Sequence, residues 1–76
     1  MPLIDVTVIE GVFTPEQKTQ IAERLTDAMV SIEGENMRQV TWCVIDEVNS
    51  CDCAIGGQCL TTEAVRALAE GVPATA

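Results

Sequence analysis

Histidine is absent from this 76-residue chain, tyrosine is absent too, and Trp42 and Phe13 are its only aromatic residues. Without histidine, a cysteine nucleophile lacks its usual base, and a zinc site lacks one of its two commonest ligands. Basic residues are scarce. Lys18, Arg24, Arg38 and Arg66 stand against twelve acidic residues, giving a net charge of −8. Such a chain offers no footprint for phosphate backbones or anionic bilayers, so neither nucleic acid nor a membrane is expected as a partner. No apolar run approaches the ~18 residues of a membrane span, and no basic segment followed by an apolar one marks a leader. A soluble, cytoplasmic protein is the expectation.

Apolar residues are plentiful, at 47% of the chain with a mean hydropathy of +0.23. The length suits one domain over 1–76. A chain this short buries only about 60% of the surface its unfolded form exposes, so a lone subunit is marginal. Disulfides, a metal or self-association are the usual remedies, and the excess of apolar surface favours association into a homo-oligomer. Of the four cysteines, Cys51, Cys53 and Cys59 fall within nine residues. Zinc sites space cysteines by two to four residues and use a second such set, so no metal is expected here. In a cytoplasm the thiols are expected to be reduced, and Cys43, inside an apolar run, to be a packing residue.

Along the chain, Ile4, Val6 and Val8 alternate with Leu3, Asp5, Thr7 and Ile9, the period of a strand. Thr14-Pro15-Glu16-Gln17 reads as a helix start, with Thr14 as N-cap, Pro15 at the first helical position and Gln17 completing a capping box. Ile21, Leu25, Ala28, Met29 and Ile32 recur at helical spacing and form the expected core face, and Gly34 ends the helix. The β-branched run Val40 to Val48 predicts a second strand covered on both faces. A helix linking two strands is long enough for a right-handed parallel crossover. Two strands leave open edges and an uncovered face, so neighbouring subunits are expected to extend the sheet and cover it. Asn49-Ser50 and Gly56-Gly57 suit turns around a short hairpin near Cys53 to Ile55. Thr61 or Thr62 caps a short helix reaching Ala69, Gly71 stops it, and the tail from Val72 to Ala76 is expected to fray. There is no internal repeat or linker.

Taken in order, Met1-Pro2-Leu3-Ile4, Ile9-Glu10-Gly11, Thr14-Pro15-Glu16-Gln17-Lys18, Leu25-Thr26-Asp27-Ala28, Ile45-Asp46-Glu47 and Ala54-Ile55-Gly56-Gly57 resemble the 4-oxalocrotonate tautomerase family. The resemblance covers roughly 1–57, leaving 58–76 as a C-terminal extension. It implies an α/β fold: a single β-α-β unit with a short C-terminal hairpin and helix, its sheet extended by oligomerisation, usually into a hexamer built from dimers. It also implies a cofactor-independent keto–enol isomerase acting on a small enol or ketone, with Pro2 as catalytic base and acid once Met1 is removed. The chemistry is plausible from first principles. A free α-amino group titrates at about 7.7 to 8.0, and an apolar pocket lowers that value by disfavouring the ammonium. The resulting neutral amine can take a proton beside a carbonyl and return it elsewhere.

Three positions depart from the family pattern. An arginine usually follows the Glu-Gly pair, where this chain has Val12; another lies early in the second strand, where it has Trp42; and an aromatic precedes the Ile-Gly-Gly segment, where it has Cys53. Losing both guanidinium groups removes bidentate carboxylate recognition, and one lost transition-state donor can cost ~3 kcal/mol. Arg38 either replaces one arginine from a neighbouring subunit or is a solvated surface charge. Trp42 either lines the pocket or packs at a subunit interface. With Phe13, Val12 and Trp42 would make an uncharged pocket suited to a less polar enol. Two other readings stand beside the tautomerase: a hydrolytic dehalogenase or hydratase of the same superfamily, and a non-catalytic oligomeric scaffold.

Overall fold

The structure, a computed structural model, describes residues 1–71, so the expectation of a frayed tail from Val72 to Ala76 lies outside the described residues. Their elements run β1 (Leu3–Ile9), α1 (Pro15–Glu33), a 3-10 helix (Glu35–Val40), β2 (Trp42–Val48), β3 (Cys53–Ile55), β4 (Gln58–Leu60) and α2 (Thr62–Ala69). Contacts group them into two compact units, one of Met1–Thr7 with Phe13–Asp46, the other of Val8–Val12 with the chain from Glu47 onward.

β1 and β2 form one two-stranded sheet. The Trp42 N–H donates to the Pro2 carbonyl at 2.9 Å and the Glu10 N–H to the Val48 carbonyl at 2.8 Å. Both strands advance together between these bonds, as parallel strands do. The alternation read from β1 holds: Ile4, Val6 and Val8 are half-buried, while Leu3, Asp5 and Thr7 are exposed. β2 alternates as well, with Cys43 and Ile45 half-buried and Trp42, Val44 and Asp46 exposed. The expectation of a strand covered on both faces is therefore not met within one chain. The strand also starts later than expected, because Glu35–Val40 winds into a 3-10 helix in which the Thr41 N–H reaches back to the Arg38 carbonyl at 3.2 Å.

α1 begins as the sequence dictates. The Gln17 N–H donates to Thr14 Oγ1 at 3.1 Å and the Thr14 N–H to Gln17 Oε1 at 2.9 Å, the reciprocal pair of a capping box. Gly34 ends it, its N–H bonding the Val30 carbonyl at 2.8 Å. The inward face differs from expectation by about one residue. Val30 is buried, with Ala22, Thr26 and Met29 half-buried on the same side, whereas Leu25, Ala28 and Ile32 of the expected stripe are exposed and Ile21 is half-buried. A helix with two apolar stripes has two candidate core faces, and spacing alone does not say which one its own chain covers.

In the second unit β3 and β4 pair antiparallel, Cys53 opposite Leu60, Ala54 opposite Cys59 and Ile55 opposite Gln58. The two-residue loop is Gly56-Gly57, whose φ angles of 59° and 82° are both positive, as a type I′ hairpin turn requires. Thr61 caps α2, accepting from the Ala64 N–H at 3.0 Å, and the Gly71 N–H bonds the Leu68 carbonyl at 3.0 Å. The expectation of reduced thiols is corrected at one pair: Cys51 and Cys59 form a disulfide, because the turn before β3 and the pairing of β4 bring their Cα atoms to 4.7 Å. Cys43 and Cys53 remain free thiols.

Candidate active site

Proline lacks a backbone N–H, so an amino-proximal proline can join a sheet only through its carbonyl. Pro2 does this: its carbonyl oxygen accepts the 2.9 Å bond from the Trp42 N–H, the first rung joining β1 to β2. Pro2 is half-buried, and Trp42 projects from the open face of the sheet with 61% of its surface exposed. Thus two of the sequence-derived site residues are neighbours, and one is fixed by the backbone of the other. The pairing leaves both the pyrrolidine ring and the Trp42 side chain out of the ladder.

Arg38 lies in the 3-10 helix four residues ahead of Trp42, and each of its three guanidinium nitrogens is bonded to a carboxylate. Nε donates to Glu35 Oε1 at 2.7 Å, Nη1 to Asp27 Oδ1 at 2.9 Å and Nη2 to Glu35 Oε2 at 3.3 Å. The Glu35 carboxyl is held below its usual range by this hydrogen bonding, and the Arg38 guanidinium is raised above its own by Glu35 first and Asp27 second. The group sits beside a shallow hollow of about 470 Å³ lined by Ala22, Glu23, Thr26, Asp27, Arg38 and Cys43. With Arg38 matched by two carboxylates and Glu23 adding a third, the hollow is no receptor for a carboxylate substrate. It contains neither Pro2 nor Trp42.

Val12 and Cys53 belong to the second unit, both half-buried. Val12 follows the Glu10-Gly11 turn, where Gly11 has φ +78° and a Cβ would come within 3.0 Å of Thr62 Cγ2. A clasp fixes this turn. Thr62 Oγ1 donates to the Glu10 carbonyl at 2.7 Å, the Thr62 N–H to Ser50 Oγ at 3.0 Å and the Ser50 N–H to Glu10 Oε1 at 3.3 Å. Sequence reading missed this network because Glu10 lies 40 residues from Ser50 and 52 from Thr62.

A pair of carboxyls also escaped that reading. Asp5 and Asp46 meet on the open face of β1 and β2, where the hydrogen bond that a protonated Asp5 donates to Asp46, and then the repulsion of the Asp46 charge, raises the Asp5 carboxyl above its usual range. Alternation placed Asp5 on the face opposite Ile4 and Val6, but only the strand register joins it to Asp46.

The profile of the tautomerase enzyme family matches residues 2–63, beginning at Pro2. The chain belongs to the tautomerase family. Among solved structures, this tautomerase is similar to an apo unfused 4-OT, at 33% identity over 84% of this chain and 98% of the other, with a TM-score of 0.70. It is similar to DmpI from Helicobacter pylori at 31% identity, covering 86% and 96% of the two chains with a TM-score of 0.67. TomN, a 4-oxalocrotonate tautomerase homologue of the tomaymycin biosynthetic pathway, matches at 27% identity over 87% and 95%, with a TM-score of 0.70. No curated protein sequence gives a significant match. The likenesses bear out the β-α-β core with an added hairpin and helix, and with it a cofactor-independent keto–enol tautomerase that uses an amino-terminal proline as base. No helix among the described residues is long and apolar enough to cross a membrane.

Proposed function

We propose that removal of Met1 frees the Pro2 amine, and that this amine shuttles a proton on a small enol or ketone bearing at most one carboxylate. The observation that carries this reading is the backbone bond from Trp42 to Pro2, which fixes the ring at the start of the sheet in the protein where the family match begins. While Met1 is attached, the Pro2 nitrogen is a tertiary amide and carries no basic lone pair. Once freed, the nitrogen takes a proton from the carbon or hydroxyl beside the carbonyl. It then returns that proton to the far carbon of the enolate, so no cofactor is needed. Val12, Trp42 and Cys53 fall at two arginine positions and one aromatic position of the family pattern that the chain resembles, and we assign Trp42 to an apolar substrate wall. A net charge of −8 disfavours a dianionic ligand further. Arg38 would have to exchange Asp27 or Glu35 for substrate, so its part is secondary.

We further propose that the whole chain acts as one domain within a homo-oligomer, a hexamer in the cytoplasm. Among the described residues only Ile9 and Val30 are buried apolar side chains, while Leu3, Trp42 and Val44 on the sheet are 47%, 61% and 40% exposed and Ile32 on α1 is 85% exposed. Surface of this kind on both a sheet and a helix calls for two interfaces per subunit, as a closed assembly of dimers supplies.

The test begins with intact-mass analysis for loss of Met1, followed by ketonisation of phenylenolpyruvate by the native chain and by Pro2→Ala. The reading requires a large loss in the variant, of about 10²-fold or more. Equal rates would leave only a scaffold, and proline-dependent turnover of a halogenated acrylate without ketonisation would replace the tautomerase with a dehalogenase.

A further inference from the structure

We propose that the Cys51–Cys59 disulfide is a reversible thiol–disulfide exchange site that opens to dithiol reductants and loosens the segment from the Asn49 turn to the start of α2. Three observations converge on it, none involving Pro2, so the proposal stands apart from the reading above. Both cysteines are exposed, giving a reductant direct access to sulfur. Cys51 occupies the third position of the turn closed by the 2.9 Å bond from the Asp52 N–H to the Asn49 carbonyl, with φ at +72°. That position favours glycine, and Cys51 is the one described non-glycine residue with positive φ. Exposed disulfides and those at strained positions are the labile ones, with regulatory rather than purely structural roles.

What the bond closes is correspondingly weak. β3 and β4 have three residues each, too few for an isolated hairpin to be stable, and the disulfide crosslinks their open end where the Cys51 N–H meets the Leu60 carbonyl at 2.7 Å. Ser50, beside the crosslink, holds Glu10 and Thr62, so loss of the bond reaches that clasp. Cys53 cannot serve as a resolving thiol within the hairpin. It pairs with Leu60, whereas Cys59 pairs with Ala54, and neighbouring positions on a strand face opposite sides.

The reaction balances with a dithiol as the electron donor. One reductant thiolate attacks a cysteine sulfur, the S–S bond breaks, and the other cysteine leaves as a thiolate. The second reductant thiol then displaces the mixed disulfide. Two electrons and two protons pass to Cys51 and Cys59, and the reductant departs as its own disulfide.

Alkylation of the native, air-oxidised chain under nondenaturing conditions, read by peptide mass, tests the proposal with dithiothreitol as the reductant. Expected is a Cys51–Cys59 crosslinked peptide before reduction, freed by dithiothreitol without denaturant. Hydrogen exchange over residues 49–62 should then speed up by about tenfold or more while α1 keeps its protection. Cys59→Ser should show the fast exchange in both conditions, and Cys53→Ser should keep the crosslink and the native exchange response to dithiothreitol. Cys51→Gly guards against misfolding, since glycine suits the turn, and it should match the reduced native chain. A bond that yields only in denaturant, a crosslink involving Cys53, free Cys51 and Cys59 after oxidation, or unchanged exchange on reduction would each overturn the proposal.

Discussion

The backbone N–H of Trp42 donates to the carbonyl oxygen of Pro2 at 2.9 Å, so the first residue of β2 fixes the proline at the start of the sheet. The anchor is main-chain and survives replacement of the indole. Trp42→Arg should therefore fold and restore a carboxylate-binding group near the ring. Expected is a gain of about tenfold in kcat/KM for a dicarboxylate enol relative to a monocarboxylate one, measured as a ratio within each protein. An unchanged ratio would remove Trp42 from the substrate wall.

Gly11→Ala tests the turn that carries Val12. Positive φ at a residue with a β-carbon costs roughly 1–2 kcal/mol, and the added methyl would meet Thr62 Cγ2 at 3.0 Å. Thermal melts at fixed protein concentration should show a destabilisation of at least about 1 kcal/mol. Thr62→Ala, which frees that space but cuts the bond to the Glu10 carbonyl, should not rescue it.

Replacing the α1 cap provides a second measure of stability. Thr14→Ala removes the acceptor of the Gln17 N–H and half of the reciprocal pair, and should cost ~1 kcal/mol in denaturant unfolding. Gln17→Ala, leaving the Thr14 acceptor intact, should cost less.

The Asp5–Asp46 pair predicts a definite sign with pH. Because the Asp5 carboxyl is raised in the folded chain by its hydrogen bond to Asp46 and by that charge, the folded state holds the proton more tightly than the unfolded one. Its stabilising contribution is complete below the ordinary carboxyl range and is lost as pH rises through the raised value. Asp46→Asn removes the repulsion, so the Tm of the variant should exceed that of the native chain near neutrality, with the gap narrowing as pH falls into the ordinary carboxyl range. A gap of the same size in both pH ranges would show that the two carboxyls do not interact. Glu35 acts in the opposite direction and in a lower window: lowered by Arg38, its contribution is present above the ordinary range and lost as pH falls through its own value.

Local chemistry was legible in the sequence, and long-range register was not. Thr14, Pro15 and Gln17 announce a helix start through contacts three residues apart, and the capping box is present. Gly56-Gly57 likewise dictates a hairpin turn by itself, and the β1 alternation needs no partner to be read. The covered face of α1 was misjudged because Ile21, Leu25 and Ile32 form a stripe as apolar as the one around Val30. Of the second stripe, Leu25 and Ile32 stay exposed and Ile21 is half-buried. The start of β2 was misplaced because Val40 has strand propensity, yet it ends a 3-10 turn whose geometry follows from backbone bonding. Of the site, Pro2 was named from its position and resemblance, but its bond to Trp42, the engagement of Arg38 by Asp27 and Glu35, and the Glu10–Ser50–Thr62 clasp all depend on pairings that no single segment encodes.

Catalysis by Pro2 requires that its nitrogen be a free amine, neutral enough at physiological pH to act as a base. Selective ¹⁵N labelling of proline, followed through a pH titration of the Met1-processed protein, measures this directly. A catalytic Pro2 should give a resonance titrating below the ordinary α-amino value of about 7.7, at the same pH as the acid limb of the ketonisation rate. A Pro2 nitrogen that remains acylated, or one that titrates well above that value while the rate shows no matching limb, would contradict it.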